Sequence, residues 1–157
     1  MEKLLYTTEL PSTLDRVNDL REMDKLLALR IGYYVEYEDE RYRLVDDEGK
    51  SSLQSYSDLF RAWDNVPCFS TDYKATFTLI TKWRIGLKIA STADSWECHI
   101  KDDDNVYTGH SHLTPLIAIC RAIYKANVQE LRVILEIRKL HAEIYERQRR
   151  LYYWRTK

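Results

Sequence analysis

Glycine and proline are scarce in this chain of 157 residues, which holds four of the first and three of the second. That scarcity excludes glycine-rich phosphate loops, and neither a G-x-x-x-x-G-K-[ST] run nor a G-x-S-x-G elbow occurs. The three cysteines, Cys68, Cys98 and Cys120, are odd in number and lack C-x-x-C spacing, so reduced and mostly buried thiols are expected rather than a zinc site or a disulfide framework. No apolar run reaches the roughly 18 residues of a membrane span, and Met1-Glu2-Lys3 leads into a mixed segment unlike a signal peptide. A cytoplasmic protein is expected. Neither charge sign is in excess: 24 Lys and Arg stand against 25 Asp and Glu, a net −1, which argues against a general nucleic-acid or membrane-surface binder. Aromatic residues are abundant, with twelve Tyr and four Trp, and such rings suit interfaces and stacking pockets.

A chain of this length forms one domain, alone or with an appended helix. Its most apolar stretch, Thr114 to Ala126, predicts the helix against which the rest packs. Pro115 fits the first helical position and Thr114 the cap. Leu116, Ile119, Cys120 and Ile123 recur at the spacing of one buried face, while Ala118 and Ala122 allow close approach. Arg121 breaks the pattern seven residues after Thr114, with Lys125 one turn further on. Two cations behind the amide-rich end of a helix can complete a small anion site.

The remaining elements follow from periodicity. Residues 1–11 read as a lead-in. A first helix starts at Ser12-Thr13-Leu14-Asp15, carries a stripe through Leu20, Met23, Leu26 and Leu27, and ends at Gly32. Alternation from Tyr33 to Leu44 and a turn at Asp46-Asp47-Glu48-Gly49 predict a short exposed hairpin, with one or two helical turns before Asn65. A second helix begins after Pro67-Cys68-Phe69-Ser70-Thr71-Asp72. Strands are expected over 85–91, 95–101 and 106–110, separated by turn-forming Thr92-Ala93-Asp94 and Asp102-Asp103-Asp104-Asn105, and together they make an antiparallel meander. Residues 127–157 form a long helix with an apolar stripe, extending roughly 45 Å at 1.5 Å per residue. Such a helix outruns a small domain, so contact with another subunit is expected, the alternative being a helix folded over its own sheet. The fold class is therefore α+β: a small antiparallel meander sandwiched by helices, with a long C-terminal oligomerisation helix. The boundaries fall at 1–126 for the sandwich, with 33–66 a variable insertion, and 127–157 for the extension.

Three groups of residues carry candidate chemistry. His110-Ser111-His112-Leu113-Thr114 combines imidazoles with hydroxyls, but a two-histidine phosphodiesterase needs a second His-x-Thr motif and His99-Ile100-Lys101 lacks the hydroxyl. No third metal ligand stands at suitable spacing. The loop can donate amides and imidazole N–H groups to a phosphate, or act as a cap alone. Arg121 pairs with an acid such as Asp24 or Asp94, or presents its planar fork to a phosphate. Phe77, Trp83 and Trp96 pack in the core, or one of them stacks on a base.

Asp24-Lys25-Leu26-Leu27-Ala28 leading to Gly32, then Pro67-x-Phe69-Ser70-Thr71-Asp72, the tryptophans of the meander region, and Pro115-Leu116-Ile117-Ala118-Ile119-Cys120-Arg121-Ala122 together resemble the phage ABA sandwich domain. The resemblance covers about residues 14–126. Phage proteins of this size and arrangement include the Thoeris anti-defence sponges, which bind cyclic ADP-ribose-type signals and withhold them from an effector. The resemblance thus implies a phage protein that retains a nucleotide-derived signal without cleaving it, forms a homo-oligomer through residues 127–157, and needs no cofactor. Its ligand-binding residues would be Arg121, Thr114, His112, Lys125, Phe77 and Trp96, with no metal site. Blocking of a host protein by direct contact, and a phosphodiesterase using His110 or His112, are the alternatives.

Overall fold

A computed structural model describes residues 2–4, 19–83 and 87–155. The expected cap at Ser12 lies outside the described residues. Helix α1 spans Leu20–Ile31, where the Asp19 carboxylate accepts from the Glu22 amide at 2.9 Å, and Gly32 closes it at φ 111°, a left-handed conformation that glycine reaches without strain. Strand β1, Glu2–Leu4, lies within the stretch expected as a mere lead-in and pairs with β2.

β2 (Tyr34–Glu38) and β3 (Arg41–Val45) form a hairpin closed by Asp39 and Glu40, both at positive φ as a two-residue turn of the right twist requires. The hairpin does not stand exposed. Val35, Leu44, Ala62, Trp63 and Val66 join the common core, and Lys82 of the third helix pairs with Asp47 beyond β3. The short helix α2 (Leu59–Trp63) and α3 (Tyr73–Trp83) follow, the Asp72 carboxylate accepting from the Lys74 amide in the first turn of α3.

The meander is present as β4 (Leu87–Ser91), β5 (Trp96–Asp102) and β6 (Asn105–Ser111), in the order β4-β5-β6 and antiparallel throughout. There are thus two three-stranded sheets, not one. Helix α4 (Pro115–Ala126) lies across one face of the second sheet, burying Ile117, Ala118, Ile119, Cys120, Ala122, Ile123 and Tyr124. The approach is closest at Gly109, where a Cβ would stand 2.1 Å from the Ala118 carbonyl oxygen and 2.5 Å from the Ala122 nitrogen. Helix α5 (Val128–Arg155) buries only Leu131 and Leu135, and its later turns are exposed.

Candidate functional site

The start of α4 is built as expected, but its polar groups are engaged within the chain. Thr114 caps the helix, its hydroxyl accepting from the Ile117 amide at 3.3 Å. The Ser111 hydroxyl accepts from the Leu113 and Thr114 amides at 3.0 and 3.3 Å. The Leu113, Thr114 and Ile117 amides are thus engaged within the chain. His112 is exposed, its Nδ1 3.1 Å from the Asp94 carbonyl oxygen.

Arg121 pairs with neither Asp24 nor Asp94. Its guanidinium donates to the His110 carbonyl at 2.6 Å, and the Lys125 ammonium donates to the Thr108 carbonyl at 2.7 Å. Because β6 is an edge strand, the two cations occupy backbone acceptors that would otherwise invite another strand. Trp96 lies opposite Ser111 at the same end of the sheet and is partly exposed, while Phe77 is 62% exposed on α3, so neither belongs to the fully buried core. The structure therefore brings Thr114, His112 and Trp96 to one end of the second sheet, places Arg121 and Lys125 along its β6 edge, and leaves Phe77 on a separate helix.

The face of the second sheet turned away from α4 assembles a cluster that sequence reasoning did not join. Lys88, His99 and Thr108 are aligned across the three strands, and Glu97 and His110 are aligned one step along. His99 Nδ1 stands 3.0 Å from the Thr108 hydroxyl and His99 Nε2 is 3.2 Å from Glu97 Oε2, while the other oxygen of Glu97 is 3.4 Å from His110 Nδ1. One carboxylate thus hydrogen-bonds one imidazole and stands beside a second. The available signal was the turn: once Asp102 pairs with Asn105, antiparallel register brings 99 to 108 and 97 to 110. Among the described residues, no group of three or more His, Cys, Asp or Glu is arranged to hold a metal.

Behind α4 lies a buried polar clasp. Asp24, 2% exposed, accepts from the Ser70 amide at 2.8 Å and the Ser70 hydroxyl at 2.9 Å, fastening α1 to the loop before α3. Burial raises its carboxyl above 3.8, outweighing the Ser70 bonds and the Arg21 charge. Arg21 donates to the carbonyls of Asp64, Val66 and Pro67. Burial also pushes the Cys98 thiol up to about 11, and the Cys120 thiol upward as well, so neither is a ready nucleophile. Cys68 is exposed, unlike the other two.

The chain is similar in structure to a phage protein from Bacillus cereus ATCC 14579, with 17% sequence identity, a TM-score of 0.47, and coverage of 76% of this chain and 97% of that one. No family model and no curated protein matches it.

Proposed function

We propose that this chain is a non-enzymatic phage anti-defence protein that sequesters a nucleotide-derived signal, such as a cyclic ADP-ribose isomer or a cyclic oligonucleotide, without cleaving it. The observation that supports this reading is the open face of β4–β6, where Lys88, His99 and Thr108 stand in register across the strands and His99 and His110 both lie beside Glu97. An ammonium and imidazole N–H groups suit phosphate oxygens, and with Nδ1 of His110 lying 3.4 Å from Glu97 its Nε2 is directed elsewhere. The anion site moves accordingly from the α4 start, where the Leu113, Thr114 and Ile117 amides bond within the chain, to this face, with Arg121 holding the strand that carries His110.

The test is retention. Purified protein is incubated with cyclic ADP-ribose isomers and cyclic di- and trinucleotides, freed of unbound ligand and heated, and the released material is weighed by mass spectrometry. Intact ligand is expected from the unaltered protein, and its loss from a Lys88→Ala/His110→Ala variant that still folds. Retention by that variant sinks the site. If the unaltered protein retains nothing, the sponge reading fails and direct blocking of a host protein takes its place.

A second reading is favoured by one geometric fact: Thr108 hydroxyl, His99 and Glu97 form a relay of the hydroxyl–imidazole–carboxylate kind that activates nucleophiles. The relay lies on an open sheet face rather than in a water-excluding cleft, which suits binding better than hydrolysis. Released ligand of altered mass, abolished by His99→Ala, would establish hydrolysis instead.

A further inference from the structure

Helix α5 carries an exposed apolar stripe with a regular repeat. Val133, Ile137, Leu140, Ile144, Leu151 and Trp154 are each between 47 and 77% exposed, and with Arg147 they follow spacings of four and three in alternation along the helix. That is the 3.5-residue period of a two-helix seam, distinct from the face through which Leu131 and Leu135 meet the core. A run of exposed large apolar side chains at this period calls for a partner helix.

Charge identifies the partner. Before Arg147 the charges are mixed, Glu130, Glu136, Glu143 and Glu146 standing among Arg132, Arg138 and Lys139, and from there Arg147, Arg149, Arg150 and Arg155 follow with no acid among them. A parallel copy would set each arginine beside its own duplicate and put two Arg147 guanidinium groups face to face in the seam, a costly desolvation. An antiparallel copy removes that clash and sets the arginine-rich end opposite the stretch that holds the partner's Glu136 and the partner's Glu143. We propose that α5 pairs with the α5 of a second copy of this chain in antiparallel orientation, centred between Tyr145 and Glu146. In that register Leu140 meets the partner's Leu151, Ile137 meets the partner's Trp154, and Ile144 lies beside the partner's Arg147. Glu143 then flanks the partner's Arg150, and Arg147 reaches the partner's Glu143. This pairing stands whatever ligand the second sheet takes.

Sedimentation of the full chain and cysteine pairing test it together. The expected mass is two chains at high concentration, falling toward one on dilution and on addition of salt, since the orienting contacts are ionic. In a Cys68→Ser background, Leu140→Cys and Leu151→Cys proteins are each expected to stay uncrosslinked alone, because like positions lie about 16 Å apart along the helix axis, beyond disulfide reach. Mixed one to one, they are expected to give a disulfide dimer under mild oxidation. A monomer at every concentration overturns the proposal, as does a mass above two chains or a Leu140→Cys protein that crosslinks to itself.

Discussion

Asp24, buried, and Arg138, half-buried, are ionisable groups with opposite consequences. Burial raises the Asp24 carboxyl above its ordinary 3.8, so the folded chain holds that proton to a higher pH than the unfolded chain does. Its contribution is therefore complete below 3.8 and declines as pH climbs through the folded value. Asp24→Asn keeps an acceptor for the Ser70 amide and removes the titration. Its urea midpoint relative to the unaltered protein is expected to rise as pH goes from about 4 to about 7, and a difference constant with pH would show that Asp24 does not titrate in this way. Arg138 has Nη1 buried with no hydrogen-bond partner among the described residues, and burial lowers its guanidinium to about 10. Arg138→Met keeps the stem and removes the unsatisfied group, so it is expected to stabilise the fold by about 1 kcal/mol in denaturant melts. Arg121 and Lys125 behave differently, since their bonds close the β6 edge. Replacing both with Ala is expected to leave helix content unchanged in circular dichroism while promoting aggregation detectable by light scattering.

At the scale of elements, α4 and β6 are in close backbone contact at Gly109. Gly109 admits no side chain because the α4 backbone occupies the space. Gly109→Ala must push helix from sheet and is expected to cost about 3 kcal/mol. Gly49→Ala provides the contrast: nothing lies within 4 Å of its added Cβ, and only its φ of 84° opposes the change, for about 1 kcal/mol. Thermal melts of the two variants distinguish a steric contact from a conformational one, and equal losses would contradict the close packing. The α4 boundaries were legible because Thr114, Pro115 and the apolar spacing act over a few residues. The turns at Thr92–Ser95 and Asp103-Asp104 are likewise written locally, while the β2–β3 hairpin turns at Asp39-Glu40, ahead of the turn expected at Asp46–Gly49. The open polar face was only half legible. Glu97 and His99 alternate on one strand and Thr108 and His110 on the next, but their meeting depends on register, which the turn sets and the strands alone do not.

For the whole molecule, one core joins both sheets and four helices with the first turns of α5, while the rest of α5 contributes no buried side chain to it. Removing residues 140–157 is therefore expected to leave the thermal midpoint within a few degrees and the core folded, but to abolish the two-chain mass in sedimentation. Unfolding of the truncated chain would show that the exposed turns support the core directly. The amino-acid order by itself determined the α+β class, the meander, the capped central helix and the long charged α5, because periods, caps and turns are interactions between residues a few positions apart. Only the tertiary structure decided that the 33–66 hairpin belongs to the core, that Arg121 binds a β6 carbonyl instead of Asp24 or Asp94 with Lys125 on another, and that two histidines share Glu97. Those outcomes depend on which distant backbone atoms packing brings within hydrogen-bond reach, and no local pattern encodes that distance.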